Sequence, residues 1–203
     1  MTIRTSLSVF LATAVAALAA ACGSSGKGAA APQSGKSDVM DKMMGEGMAM
    51  GADEGSTFGP LEVGADWQTY TKVNREPVTS PTHGGRLVDT YVNDVGLAAY
   101  KTEDQPMPVG TVLVKTSMEV KDGTPTGEPG PVFVMQKREA GFNPDHEDWY
   151  FAIRWESPPE RWKAKVGGPF YWRSPSKKVD YCWQCHENYD RFLGQVPADK
   201  RAY

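Results

Sequence analysis

The sequence is poor in the residues that most often bind metals or form disulfides, with three cysteines and three histidines among 203 residues. It also lacks an excess of one charge, because 22 Lys and Arg stand against 25 Asp and Glu and give a formal net charge of −3. Nothing in this balance indicates nucleic-acid binding, and no basic amphipathic helix is present that would bind a membrane surface. The few cysteines are therefore the best guide to function.

Only one long apolar run occurs, over residues 7–21, and Arg4 precedes it. A charged residue followed by an apolar run that ends in small residues is typical of an export signal. The three alanines before Cys22 resemble a bacterial lipoprotein cleavage site, in which the cysteine becomes the lipidated first residue. An uncleaved anchor helix is the alternative, but the run is shorter than the roughly 20 residues that span a bilayer.

We therefore predict a lipoprotein signal peptide over residues 1–21 and lipidation of Cys22. The mature chain would be anchored on the periplasmic face of a bacterial membrane. Gly23, which follows where an Asp would favour retention in the inner membrane, favours the outer membrane instead. This sorting rule is carried over from resemblance to lipoproteins of bacteria with two membranes.

Residues 22–56 are rich in Gly, Ala, Ser, Lys and Met and contain almost no aromatic or β-branched residue. Such a composition cannot bury enough apolar surface to offset the entropy lost on ordering, so we interpret the segment as a disordered tether. Five methionines crowd together in it: Met40, Met43, Met44, Met48 and Met50. Thioethers bind Cu(I) or ligate haem iron, but an oxidation-prone linker is the simpler interpretation.

Residues 57–203 suit one domain, and their pattern is mainly that of β-strands. Four segments rich in Val, Thr, Tyr, Phe or Trp alternate with clusters of Gly, Pro and Asp, namely residues 86–93, 111–120, 131–139 and 149–156. Helices should be few and short, over residues 65–70, 96–100 and 181–193, the last with Asp180 as N-cap and Gly194 as terminator. The sequence predicts a mainly β (α+β) fold, an antiparallel sheet with a C-terminal helix.

Alternation along the second predicted strand defines two faces. One face carries Val112, Val114, Met118 and Val120, and the other carries Leu113, Lys115, Ser117 and Glu119. On the fourth predicted strand, Trp149, Phe151, Ile153 and Trp155 share a face that suits a core or a bound aromatic group. On the C-terminal helix, Cys185, Tyr189 and Phe192 fall on one side, so we expect that side to pack against the sheet.

The sequence CWQCH at residues 182–186 is the strongest motif. A C-x-x-C-H pattern indicates covalent attachment of a c-type haem. Cys182 and Cys185 would each add across one vinyl group of the porphyrin, and His186 would ligate the iron. A redox dithiol is the weaker alternative because its βαβ context is missing, and a zinc site would need a second ligand pair.

Several runs resemble the cytochrome P-460 superfamily in their order along the chain. They are WQTYTKVNREPVTSPTHGGRLVDTYVN (residues 67–93), MPVGTVLVKTSM (107–118), DWYFAIRW (148–155) and CWQCH. The resemblance implies an exported β-rich haem protein. In enzymes of this family a strand lysine is bonded through its side-chain nitrogen to a porphyrin meso carbon, and Lys115 matches that position. The alternatives are an exposed lysine or one that pairs with Glu119.

The resemblance also implies hydroxylamine oxidation at a five-coordinate haem iron. Such chemistry needs a proton acceptor near the iron, and the family's catalytic glutamate corresponds most closely to Glu139, with Arg138 as an orienting partner. A solvated strand end is the alternative for this pair. Electrons would pass to a redox partner protein, and family members commonly form homodimers.

Two further functions stay open. The first is binding of nitric oxide or carbon monoxide by a cytochrome c′-beta type site, in which Phe133, Phe142 and Phe151 would shield the iron. The second is periplasmic electron transfer, for which His83 or His146 would supply a sixth iron ligand. Of these two histidines, His83 is the better candidate because it precedes Gly84 and Gly85 in a run that the family shares, although an ordinary loop histidine is the simpler interpretation of each.

Overall fold

The computed structural model describes residues 57–102, 106–187 and 196–203. The predicted signal peptide, Cys22, the methionine cluster, Tyr189, Phe192 and Gly194 lie outside the described residues. In the described part of the chain, no helix is long and apolar enough to cross a membrane.

An eight-stranded antiparallel sheet forms the body of the domain. Its strands are β1 (Thr71–Lys72), β2 (Val78–Ser80), β3 (Arg86–Val92), β4 (Val112–Lys121), β5 (Thr124–Pro129), β6 (Val132–Lys137), β7 (Trp149–Trp155) and β8 (Phe170–Arg173). The order across the sheet is β1-β3-β4-β6-β7-β8, with β2 beside β3 and β5 beside β4. The predicted fold class is confirmed.

A two-residue loop joins β4 to β5, and its sequence explains its conformation. Strands β4 and β5 are joined by Asp122 and Gly123, which both have positive φ, +50° and +77°. A two-residue Asp-Gly loop of this kind matches the right-handed twist of the strands that it joins. The long β4 strand consequently pairs with β5 near its C-terminal end and with β6 over Val112 to Lys115.

The two faces of the sheet bury different residues. One face is covered by Leu61, Val63 and Trp67 from the chain before β1, which pack on Val112, Val114 and their neighbours. The other face carries Leu113, Lys115 and Glu119 from β4, and from β7 it carries Trp149, Phe151, Ile153 and Trp155. We call this second surface the cleft face. The alternation predicted for β7 is confirmed, and so is that of β4 over Val112 to Lys115.

Three α-helices occur in the described residues: α1 (Asp94–Thr102), α2 (Glu160–Val166) and α3 (Tyr181–His186). The predicted helix over 65–70 is only a 3-10 turn, Trp67–Thr69. Helix α3 was predicted to reach residue 193, but it ends at His186 because Glu187 has an extended backbone. Asp180 occupies the predicted N-cap position of α3, although its backbone is helical and its side chain makes no capping bond.

Candidate functional site

A cleft of about 570 Å³, measured to its open mouth, lies between the cleft face of the sheet and α3. Strands β4, β6 and β7 supply one wall, α3 supplies the opposite wall, and the turn after β2 supplies His83. The cleft therefore collects residues that are as far apart in sequence as His83 and His186.

Helix α3 presents the CWQCH motif to this cleft. Cys182 and Cys185 are three residues apart, so they share one side of the helix, and both line the cleft together with His186. Neither thiol is in a disulfide. Burial, with smaller contributions from Cys185 and Asp180, raises the pKa of the Cys182 thiol to about 12. Reactive dithiols need lowered thiol pKa values, so this environment disfavours a redox dithiol.

The donor set of the cleft fits a c-type haem. Its two thiols and one imidazole are the groups that thioether attachment and axial ligation require. Within the described residues, no group of three or more His, Cys, Asp or Glu is arranged to hold a bare metal ion. A site of this kind needs an ion that brings its other ligands with it, as haem iron does.

Lys115 lies in the middle of β4 and points into the cleft, with Thr90 and Phe133 opposite it on the neighbouring strands. It makes no hydrogen bond or ion pair to any described residue. Burial lowers the pKa of its amine from 10.5 to about 8, against the opposing effects of Cys185 and Cys182. Thioethers carry no charge, so haem attachment would remove that opposition and favour the neutral amine further.

Glu119 is not the partner of Lys115, although both lie on the cleft face. Its carboxylate accepts hydrogen bonds from Arg86 Nε, from Arg161 Nη2 at 3.0 Å and from Trp162 Nε1 at 2.8 Å. The alternative in which Lys115 pairs with Glu119 is therefore wrong. Arg86 and Glu119 form a buried ion pair, with side chains 1% and 3% exposed.

His83 is buried at the end of a 3-10 turn, Pro81–His83, and reaches the same cleft. Its ring centre lies 6.3 Å from that of His186 and 4.6 Å from that of Phe133. Ser80 Oγ lies 2.6 Å from His83 Nδ1. Burial first, and then the charge of Lys115, lowers the pKa of both imidazoles well below 6.5, so both rings are neutral, the form that ligates metals.

A profile of the cytochrome P460 family matches residues 65–191, more than half of the chain. The chain belongs to the cytochrome P460 family. The comparison with curated proteins gave no match. Family membership implies haem c, and in this family member Cys182, Cys185 and His186 are the residues that would hold it.

The other residues predicted for a cytochrome P460 site lie elsewhere. Glu139 is exposed, just beyond the end of β6, and Arg138 stacks on Phe142 and Tyr150, each about 5.4 Å from its guanidinium carbon. Neither Arg138 nor Glu139 lines the cleft. The structure gives this pair no contact with the CWQCH motif, and a catalytic role for them stays a prediction.

Of the phenylalanines and histidines that were predicted for the site, some line the cleft and others do not. Phe133 and Phe151 line the cleft, whereas Phe142 is 45% exposed. His146 stacks on Trp183 at 5.4 Å between ring centres and does not line the cleft. Of the two candidate histidines, the structure brings only His83 to His186.

Sequence reasoning missed Tyr181 and the partners of Arg86. Tyr181 lines the cleft, its buried hydroxyl makes no hydrogen bond to the described residues, and burial raises its pKa well above 10. No sequence signal places this hydroxyl, because its surroundings depend on how α3 docks. The burial of Arg86 could have been predicted, because it alternates along β3 in register with the buried residues Val88, Thr90 and Val92.

Proposed function

We propose that this protein is an exported c-type haem enzyme that oxidises hydroxylamine. The observation that carries the proposal is the position of Lys115, which faces the CWQCH motif across the cleft without a counter-charge among the described residues. An unpaired buried ammonium is costly, so such a lysine needs another use. In the family's enzymes, the matching lysine is bonded to the porphyrin.

Three residues would hold the haem and a fourth would modify it. Cys182 and Cys185 would form the two thioethers, and His186 would ligate the iron. Haem bound there supplies one-electron redox chemistry and a site for a small nitrogenous ligand. The neutral amine of Lys115, favoured by its lowered pKa, would form the bond to the meso carbon. That bond replaces one C–H and one N–H, so its formation releases two electrons and two protons and needs an oxidant such as hydrogen peroxide.

Oxidation of hydroxylamine also releases protons, as in NH2OH → HNO + 2 H⁺ + 2 e⁻. The electrons would pass to an oxidised redox partner protein. Glu139 and Arg138 do not line the cleft, so the proton acceptor that we propose among the described residues is His83. Its neutral imidazole lies at the cleft and faces His186, and a neutral imidazole is suited to act as a general base.

The test is hydroxylamine-dependent reduction of an electron acceptor by the purified holoprotein. Lys115→Met should abolish turnover while the covalent haem is retained on a denaturing gel. Lys121→Met is the matched control, because Lys121 is an exposed lysine on the same strand, and it should leave kcat unchanged. Undiminished turnover in Lys115→Met would contradict the proposal.

Export and anchoring belong to the same proposal and rest on the sequence alone. Residues 1–21 would be removed, Cys22 would carry lipid, and the haem domain would stay on the periplasmic face of a membrane, where it would act as a homodimer. Incorporation of labelled palmitate should be lost in Cys22→Ala, with the haem domain then released in soluble form. Retention of label in that variant would contradict the lipid anchor, and a monomeric mass in light scattering would contradict the dimer.

A second candidate is binding of nitric oxide or carbon monoxide. The rings of Phe133 and Phe151 in the cleft favour it, because apolar side chains near an iron exclude polar ligands. Lys115 distinguishes the two functions, since a gas-binding site needs no bond between lysine and porphyrin. An unmodified Lys115, together with tight binding of nitric oxide and no hydroxylamine turnover, would favour the gas-binding function.

A further inference from the structure

The turn that carries His83 is fastened by a residue that does not itself line the cleft. Arg86 is the first residue of β3, and its side chain is 1% exposed. Its Nη1 donates a hydrogen bond to the His83 carbonyl at 3.0 Å. Arg86 is absent from the residues that line the cleft, whereas His83 is among them. The bond therefore ties the backbone of the turn to the sheet from outside the cleft.

We propose that Arg86 is a positioning residue for the proposed reaction and holds His83 where Nε2 can accept a proton from bound hydroxylamine. The inference rests on the proposed function, in which His83 is the proton acceptor. Arg86 acts only through His83, because it does not line the cleft. A general base must lie within hydrogen-bond reach of the proton that it accepts, and a displacement of about 1 Å can lower kcat by about 100-fold.

The guanidinium is fixed at its other end by groups from β4 and α2. Arg86 Nε donates to Oε1 of Glu119, and the second oxygen of that carboxylate accepts from Arg161 Nη2 at 3.0 Å and from Trp162 Nε1 at 2.8 Å. The rings of Trp155 and Trp162 each have their centre 4.9 Å from the guanidinium carbon. Because a guanidinium is planar and its donors are fixed relative to one another, these contacts also fix the direction of Nη1.

Two glycines leave the space that this packing of Arg86 needs. Gly84 has φ +76°, and a Cβ there would lie 2.3 Å from Arg86 Nη1. A Cβ on Gly130 would lie 3.0 Å from Arg86 Cδ and 2.4 Å from Ser117 Oγ. The turn and the chain between β5 and β6 can therefore approach the arginine this closely only where no Cβ intervenes.

A separate contact orients the imidazole ring of His83. Ser80 Oγ lies 2.6 Å from Nδ1. With Nδ1–H donating to that oxygen, the lone pair is on Nε2, which is the nitrogen that can accept a proton. The bond from Arg86 places the backbone and the Ser80 bond orients the ring, so the two restraints act on different parts of His83. A base that is fixed in both respects needs no rearrangement before it reacts.

The ion pair of Arg86 and Glu119 would stabilise the fold even without a role in the reaction, so a loss of stability does not distinguish the two cases. A loss of kcat at unchanged KM does, because a displaced base slows proton transfer without weakening the binding of hydroxylamine. Gly84 and Gly85 offer a matched pair of substitutions. Both have positive φ, +76° and +71°, so alanine strains the backbone at either position, but a Cβ on Gly85 meets no atom within 4 Å.

The first experiment measures hydroxylamine-dependent reduction of an electron acceptor by the holoproteins. Gly84→Ala should push the turn away from Arg86 and lower kcat by about 100-fold with KM unchanged. Gly85→Ala should keep the kcat of wild type, and urea titration of both variants shows that each is folded in the assay. Trp162→Phe is the second variant if Gly84→Ala does not accumulate. It removes the N–H that holds Glu119, and kcat should fall without a change in KM.

The infrared C–O stretch of the ferrous carbon monoxide complex reports the same displacement without turnover. An imidazole close to the bound gas changes this frequency through its electric field, so His83→Ala should differ from wild type. Gly84→Ala should have the frequency of His83→Ala, and Gly85→Ala should have that of wild type.

Equal kcat values, or equal C–O frequencies, in Gly84→Ala and Gly85→Ala would overturn the inference. Unchanged kcat in Trp162→Phe would overturn it if that variant replaces Gly84→Ala. A wild-type protein that does not oxidise hydroxylamine would overturn the proposed function, and the C–O frequencies would still decide whether Arg86 positions His83 at the bound ligand. A wild-type frequency equal to that of His83→Ala would overturn the inference together with the role of His83 as proton acceptor.

Discussion

Two cations on the same face of the sheet have opposite surroundings, one fully buried and the other partly buried. Arg86 on β3 has Glu119 as counter-charge, the His83 carbonyl as acceptor and two tryptophan rings against its guanidinium. Lys115 on β4, one strand away, has no such partner among the described residues, and it faces the cleft. Folding removes Arg86 fully and Lys115 partly from water, but only the charge of Arg86 is compensated by protein groups.

The two residues therefore have different roles, Arg86 in the fold and Lys115 in the proposed reaction. A compensated charge such as Arg86 stabilises the fold and fixes the turn that carries His83. Burial lowers the pKa of both groups, but Glu119 opposes that shift at Arg86, whereas Lys115 has no carboxylate beside it. A neutral amine is the form that reacts. The account predicts that the two sites will respond to substitution in opposite directions.

The largest effect is expected where the compensation of Arg86 is removed. Glu119→Gln leaves a buried guanidinium without its counter-charge, so the free energy of unfolding should fall by about 3–5 kcal/mol, measured by urea titration. Glu128→Gln is the control, because Glu128 is 49% exposed and also pairs with Arg161. This control should cost about 0–1 kcal/mol. Equal losses in the two variants would show that burial of the pair has no special role.

Removal of the uncompensated charge should have the opposite sign. In protein kept free of haem by Cys182→Ala and Cys185→Ala, Lys115→Met should increase stability at pH 7. The difference between a folded pKa of about 8 and the ordinary 10.5 corresponds to at most about 3 kcal/mol. Partial exposure of the side chain makes this an upper value.

The pH dependence of that gain follows from the direction of the shift. The folded state carries the full cost of the buried ammonium below pH 8, and the cost disappears as the pH rises through 10.5, where the unfolded state also loses its proton. The advantage of Lys115→Met should therefore shrink to about 1 kcal/mol by pH 10. Urea titrations at both pH values measure it, with Lys121→Met as control. A gain that grows with pH would contradict a lowered pKa.

The smallest effect concerns the hydrogen bond that orients His83. Ser80→Ala removes the acceptor for Nδ1–H, so the tautomer that leaves the lone pair on Nε2 is no longer favoured. His83 should then accept a proton less well, and kcat for hydroxylamine should fall by about ten-fold, measured as acceptor reduction by the holoprotein. Thr79→Ala provides the control, since Thr79 is exposed and adjacent. Equal kcat values in the two variants would show that the Ser80 bond does not orient His83 for this role.

The central strands could be predicted because their sequence pattern is local. Strands β3, β4, β6 and β7 alternate or run apolar over four or more residues, and such a pattern can be recognised without the tertiary structure. Strand β5, with the sequence TPTGEP, is fully exposed and has low strand propensity. Only its pairing with β4 makes it a strand, and no pattern within the segment reveals that.

Helix α2 was missed although its boundaries carry signals. Pro159 precedes it and Gly167 ends it with φ +76°, the usual order of proline before and glycine after a helix. Its two residues Arg161 and Trp162 reach Glu119, which is more than 40 positions away. Such contacts depend on how the helix docks, so a local sequence pattern cannot predict them.

The candidate site could likewise be predicted only where its residues lie close together in sequence. The CWQCH motif could be recognised because all three of its cofactor groups lie within five residues. The strand face of Lys115 followed from alternation, but its lack of a partner did not, since Glu119 has the spacing of a partner and is engaged elsewhere. His83 was already a candidate because of the run that it shares with the family, but its position beside His186 required the tertiary structure. No local pattern brings a turn after β2 to a helix that begins at Tyr181.

The most direct test of the contrast between Arg86 and Lys115 is mass spectrometry of the holoprotein after trypsin digestion. The account predicts that one haem mass joins two peptides, the one that contains Cys182 and Cys185 and the one that contains Lys115, with no cleavage after Lys115. Haem on the cysteine peptide alone, together with normal cleavage after an unmodified Lys115, would contradict it.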